Sequence, residues 1–268
     1  MVGRRGEAPL VPPYCFRRPN KAMALAPDDF GLPALWADRS IVPMSLTLEA
    51  LIAPLLHSPR LPEIAEALQV RLRDEAARRV RFYADMTDAE KVEFIEGEVV
   101  MHSPARNMHL FASQHISRLL SVYVDMTGIG VVHVEKCLCV FPRNDYEPDV
   151  VFFGREKAAT FTPNTMKFPV PDLAVEVLSV STESRDRGVK FDDYAAQGVA
   201  EYWIVDPDLE VVEQYLARDG QFELKLKSNS GDLTSPTLGG LTLPIKSFFD
   251  PLENLAALQS LVKGRTLP

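Results

Sequence analysis

The sequence is short of cysteine, carries no excess of basic residues and contains no long apolar run, and each shortage excludes a class of protein. The three cysteines, Cys15, Cys137 and Cys139, are odd in number and sparse, which argues against a disulfide framework and fits a reducing cytoplasm. Cys137 and Cys139 alternate along an expected strand, with no second pair to complete a zinc site. A formal net charge of −8 argues against wholesale electrostatic adhesion to nucleic acid or an anionic membrane, while leaving room for a local basic groove. No apolar run approaches the roughly 18 residues that span a bilayer. Arg4 and Arg5 are not followed by a signal-peptide core, because Pro9, Pro12 and Pro13 interrupt it. A soluble, cytoplasmic protein is expected.

What is present is a globular composition. With 268 residues and 46% hydrophobic content, the chain can bury one full core and carry additional segments. Residues 1–45 hold seven prolines without a sustained period and read as a flexible N-terminal arm, with Met23 and Met44 as possible later starts. Residues 46–90 turn helical and form an N-terminal extension, residues 91–250 form the main domain, and 251–268 read as a tail. Lys91 to His102 predicts a hairpin turning at Glu96 and Gly97. His109 to about Met126 predicts the longest amphipathic helix, ended by Gly128 and Gly130. Val131 to Phe141 reads as one strand and Asp149 to Phe153 as another. A hairpin about Asp219 and Gly220 follows later.

The chain is organised around residues 171–206, PDLAVEVLSVSTESRDRGVKFDDYAAQGVAEYWIVD. Alternation makes the first part a strand with a carboxylate, Glu176, in its apolar middle. A helix from about Arg185 to Gln197 then places Lys190 and Tyr194 on one face, and Glu201 to Asp206 reads as a parallel partner strand. The fold class is therefore α/β, or α+β, with a mixed central sheet flanked by helices.

Two acids, Asp149 and Glu176, fall on strands that can be neighbours. Two carboxylates in one pocket repel unless they share a proton or a cation, and an oxygen-rich pair suits magnesium or manganese. Such an ion polarises a phosphoryl oxygen and acidifies water. Lys190 is the nearest ammonium. Glu98, in the hairpin, either adds a third metal-facing carboxylate or faces solvent. His109 reads as a hydrogen-bonding neighbour of the site, and Tyr194 as a core aromatic.

The order of elements and the pattern Glu147-Pro148-Asp149 … Glu176 … Lys190 resemble the PD-(D/E)XK nuclease superfamily. The wording of FIEGEVV, YEPDVVFF, PDLAVEVLSVST, DRGVKFDDYAAQGVAEYWIVD and VEQYLARDGQFEL, over roughly Val92 to Asp250, resembles its Uma-two branch of restriction endonuclease-like proteins. That resemblance implies a restriction endonuclease-like core and a Mg2+- or Mn2+-dependent endodeoxyribonuclease. It also implies Asp149 and Glu176 as metal residues, to which the hairpin reading adds Glu98, and Asp149, Glu176 and Lys190 as catalytic ones. Two departures stand out. Leu178 occupies the slot in which the superfamily carries a lysine, so Lys190 on the helix would have to replace it. Val180 stands where the branch usually has proline.

Two functional readings follow: a metal-dependent phosphodiesterase acting on DNA, as a monomer or homodimer, or a catalytically inactive nuclease-fold protein that binds nucleic acid or a protein partner. For the arm, a chain starting at Met44 should melt close to the full-length protein, and a fall of about ten degrees would show that the arm straps the domain.

Overall fold

The structure, a computed structural model, describes residues 48–87 and 89–264, so the proline-rich arm lies outside the described residues. In chain order it contains α1 (Leu48–Leu56), α2 (Leu61–Asp85), β1 (Val92–Ile95), β2 (Glu98–Met101), α3 (Asn107–Thr127), β3 (Gly130–Val134), β4 (Leu138–Val140), β5 (Asp145–Tyr146) and β6 (Val150–Gly154). There follow α4 (Arg155–Ala158), β7 (Lys167–Phe168), β8 (Leu173–Val177), α5 (Glu183–Asp186), α6 (Val189–Ala196), β9 (Glu201–Asp206), β10 (Val211–Arg218) and β11 (Gln221–Ser228). The chain closes with β12 (Asp232–Ser235), β13 (Leu241–Pro244), a 3-10 turn at Ile245–Phe248 and α7 (Pro251–Lys263).

The central sheet has the order β11-β10-β9-β8-β6-β3 and is mixed, since β8 and β9 run parallel while the other neighbours are antiparallel. The parallel pair joined through α5 and α6 is the crossover unit expected from residues 171–206. Side chains alternate across β6 and β8 as the two-residue period requires. Val150, Phe152, Leu173, Val175 and Val177 pack with Ile116, Leu119 and Leu120 of α3 on one face. Val151, Phe153, Ala174 and Leu178 face the other way, toward Tyr194 of α6 and Ile95 of β1. A second sheet, β2-β1-β5-β4-β7, covers that other face. Glu176 shares the parity of Ala174 and Leu178, so it points into the space between the central sheet, α6 and the second sheet.

Local chemistry explains most of the boundaries. The hairpins turn on Glu96 and Gly97 (φ 51° and 88°) and on Asp219 and Gly220 (φ 51° and 75°), the paired left-handed residues that match strand twist. Gly128 ends α3 in the left-handed conformation and donates its N–H to Val124.

Three expectations change. Val131 to Phe141 is not one strand: Glu135 and Lys136 both have positive φ, and the chain leaves the central sheet there so that β4 can join the second sheet. The helix expected over Arg185 to Gln197 breaks at Arg187 and Gly188 into α5 and α6. The C-terminal tail is helical over most of its length: Asp250 caps α7 by accepting from the Leu252 and Glu253 N–H groups. That helix packs on α3, where Arg118 hydrogen-bonds the Asn254 side-chain oxygen and Asn254 Nδ2 donates to the His115 carbonyl at 3.1 Å. No helix among the described residues is long and apolar enough to cross a membrane.

Arg187, at the break between the two short helices, ties them to β10 by donating to both oxygens of the buried Glu213 at 2.9 and 3.0 Å. Burial alone would raise the Glu213 pKa, but bonds from Arg187, Tyr215 and Lys227 outweigh it and hold the group down at about 2. A depressed carboxylate pKa stabilises the fold above its unfolded value and loses that contribution as pH falls toward the folded one. Glu213→Gln should therefore lower the urea midpoint at pH 7, with the gap to wild type narrowing below about pH 4.5. A gap that stays constant down to about pH 3 would show that this ion pair does not carry the effect.

Candidate active site

Register brings the two expected acids together. In the antiparallel pair of β6 and β8, Val150 lies opposite Val175, Val151 opposite Ala174 and Phe152 opposite Leu173. One step further the same register sets Asp149 opposite Glu176, on the face that looks toward α6. Directly opposed residues have Cβ atoms about 5 Å apart. Pro148 cannot donate a ladder bond, and the strand β6 proper begins at Val150. Asp149 is fixed in addition through its side chain, whose Oδ2 accepts the Val177 N–H at 2.8 Å.

The surroundings of the two acids differ. Asp149 Oδ1 is 2.8 Å from Lys91 Nζ and 3.4 Å from His109 Nε2. Burial would raise the Asp149 pKa, yet Lys91 and His109 hold it well below the usual carboxylate range. The His109 pKa is raised in turn, the pull of Asp149 exceeding the cost of burial. Glu135, delivered by the left-handed bend after β3, lies 3.5 Å from the same Lys91, and its backbone N–H donates to the Asp149 carbonyl at 3.2 Å. One ligating atom each from His109, Glu135 and Asp149 lies within 4.8 Å of the others.

Glu176 is as buried but keeps other company. Its Oε1 accepts from Lys190 Nζ and from the Tyr194 hydroxyl, both at 2.9 Å. Lys190 is 1% exposed, and its ammonium also lies 2.9 Å from Glu93 and 3.3 Å from Asp186. The other oxygen of Glu93 lies 3.0 Å from His102 Nε2. Burial raises the Glu176 carboxyl well above its ordinary value, only partly offset by Lys190 and reinforced by Asp186 and Asp149. Burial likewise raises Asp186. Glu93 goes the opposite way, because Lys190 and His102 overcome its burial and lower it to about 2. Glu147 is pushed up to about 7 by burial, while its Oε2 accepts the Val92 N–H at 2.9 Å. A cleft of about 300 Å³, bounded by Glu135, Glu147, Val92, His133 and Phe168 among others, opens beside this group.

The chemistry of the outer set, two carboxylate oxygens and an imidazole converging on one point, fits a hard divalent cation.

Over residues 80–246, well over half of the chain, the sequence matches the model of the Uma2 family, described as "Putative restriction endonuclease". The chain belongs to that family. An uncharacterized Synechocystis protein, sll1609, is 31% identical to this Uma2 member over 129 residues, 47% of this chain and 72% of the relative. Among solved structures, a putative nuclease of family DUF820 from Anabaena variabilis covers 62% of this chain and 94% of its own, with a TM-score of 0.54 and 19% identity, a likeness of fold. The type IIG restriction endonuclease BpuSI overlaps 62% of this chain over 18% of its own, at a TM-score of 0.32 and 13% identity. The Uma2 match and the likeness to the DUF820 nuclease agree with the α+β architecture, a mixed sheet flanked by helices of the restriction endonuclease-like class.

Of the residues expected from sequence, Asp149, Glu176, Lys190, Tyr194 and His109 are brought together. Glu98 is not. It lies on the outer strand β2, 75% exposed, with its carboxylate paired to Arg78 at 2.6 Å. The hairpin acid that turns inward is Glu93, fully buried on β1. Its signal was the one used for Glu176, a carboxylate within an apolar strand. Asp186 could have been found from its four-residue spacing to Lys190, whereas nothing local marks Lys91 or Glu135. Lys190 does reach Glu176, at 2.9 Å, but it is sealed within the fold and does not stand at the mouth of a pocket.

That burial changes what a lysine variant should do. Removing the cation would strand three buried carboxylates, and breaking a buried ion pair from one side costs about 3–5 kcal/mol. Lys190→Met is therefore expected to lower unfolding free energy by about that much in urea titrations, instead of leaving the fold intact. A loss below about 1 kcal/mol would show that the acids accommodate the change by protonation.

Proposed function

We propose that this chain is a divalent-metal-dependent endonuclease that hydrolyses phosphodiester bonds of DNA, with Asp149 and Glu176 at its centre and Mg2+ or Mn2+ as cofactor. The observation that carries the reading is the opposition of Asp149 and Glu176 across β6 and β8, with the ligating atoms of His109 and Glu135 converging on Asp149. When bound, the ion supplies Lewis-acid polarisation of a phosphoryl oxygen and a more acidic water. Asp149, His109 and Glu135 are the residues that would hold it, with Glu176 next across the strand pair.

The chain's own residues do the positioning. The Val177 N–H and Lys91 keep Asp149 oriented and ionised. Tyr194 and Lys190 orient Glu176 from behind, so Lys190 acts through Glu176 and is a positioning residue. The cleft beside the site is lined by Glu135 and Glu147, one of the three residues of the donor set and a neighbour of Asp149. The net charge of −8 favours a second reading, a nuclease-fold protein that binds a protein or nucleic acid without cutting.

Nicking of supercoiled plasmid in Mn2+ or Mg2+ tests the first reading. Asp149→Asn and Glu176→Gln should each reduce cleavage by about 100-fold or more, and calorimetric Mn2+ binding should vanish in Asp149→Asn. Wild-type protein that retains DNA without nicking it in either ion would replace the enzyme with the binding protein.

A further inference from the structure

Two lysines enter the carboxylate cluster, and they are placed differently. Lys190 is sealed within the fold, its side chain 2% exposed among Glu93, Glu176 and Asp186. Lys91 stands just ahead of β1, its side chain 17% exposed, with its ammonium 2.8 Å from Asp149 Oδ1 and 3.5 Å from Glu135 Oε2. These are two of the three residues whose ligating atoms converge within 4.8 Å, and the third, His109, is 3.4 Å from that same Oδ1. The ammonium therefore stands on the donor set that the metal-dependent reading assigns to a cation.

We propose that Lys91 is a tethered counter-cation that exchanges with the divalent ion: it neutralises Asp149 and Glu135 until the ion binds, and is then expelled toward the cleft. The inference rests on the metal-dependent reading. Its physical basis is that both cations compete for Asp149 Oδ1. Two positive charges sharing one carboxylate oxygen repel strongly where water is scarce, and Asp149 is 3% exposed. An ammonium offers three donors but no coordination, whereas a divalent ion takes several oxygens at once. The exchange is therefore favourable for a doubly charged ion and not for sodium or potassium. The tether also has somewhere to go, because Val92, the next residue, and Glu135 both line the 300 Å³ cleft.

The variant test compares calorimetric Mn2+ affinity of the full chain with that of Lys91→Met and Lys91→Arg. Removing the competitor should tighten Mn2+ binding in Lys91→Met by about tenfold, while Lys91→Arg, which keeps the charge, stays near wild type. Equal or weaker binding in a folded Lys91→Met overturns the exchange. Should Lys91→Met fail to fold, the wild-type chain carries the test: amine-reactive labelling of Lys91, read by mass spectrometry, should rise several-fold on adding Mn2+. It should not change with NaCl at the same ionic strength. Labelling that is unchanged by Mn2+, or raised equally by NaCl, overturns the proposal. Failure of the metal reading looks different, since wild type and Asp149→Asn would then bind Mn2+ identically or not at all.

Discussion

One buried ammonium, that of Lys190, is the contact on which the rest of this structure depends. Glu93 comes from β1 of the second sheet, Glu176 from β8 of the central sheet and Asp186 from α5, while Lys190 itself rides on α6. A single Nζ thus ties four elements across the space between two sheets. A lone charge buried at that depth would be prohibitive, and three carboxylates without it equally so. The elements are obliged to meet there or not to be buried at all. Aromatic packing finishes the same region: the Tyr194 ring stacks on Phe141 at 5.3 Å and lies edge-on to Tyr146 and Tyr202.

The cluster holds more acid than base, and the imbalance is distributed by partner. Asp149, beside Lys91 and His109, is driven toward the charged form, while Glu176, equally buried but facing further acids, is driven toward the neutral one. Pairs of titratable groups pushed apart in this way mark sites of acid, base or cation chemistry. The contrast with Glu201 is instructive. It too is a carboxylate buried inside an apolar strand, but its oxygens accept from Trp203 Nε1 at 2.6 Å, Gln214 Nε2 at 2.7 Å and the Ser235 hydroxyl at 2.7 Å, all neutral donors. That acid is satisfied by its neighbours and ties β9 to β10 and β12.

Much of the fold was legible because its signals are local. Left-handed hairpin pairs, the glycine that stops α3 and the alternation through Leu173–Val177 each act over a few residues. The meeting of Asp149 and Glu176 was legible as well, since strand order and parity decide it. What escaped depended on where the chain changes sheets. Val131 to Phe141 has strand composition throughout, and only the positive φ values at Glu135 and Lys136 divide it and bring Glu135 to Asp149. Choosing Glu98 over Glu93 was a question of which face of the hairpin the second sheet would bury, a tertiary fact. The α5–α6 break followed from Gly188, whose Cα approaches the Ser184 carbonyl so closely that an added Cβ would lie 2.7 Å from the oxygen.

The long helix α2 is gripped at one end. Arg79 spends its guanidinium on both oxygens of Asp145 and on the carbonyls of Phe141, Pro142 and Asn144, and Tyr83 adds a hydroxyl bond to Asp145 at 2.8 Å. Toward its other end, residues 65–74 are exposed, Leu68 and Leu72 among them. A 25-residue helix is a rod of about 37 Å. Its anchor, Asp145, lies on β5 four residues ahead of Asp149, so the bonds that hold this rod to the fold and the acid at the centre of the pocket are carried by one short stretch of chain.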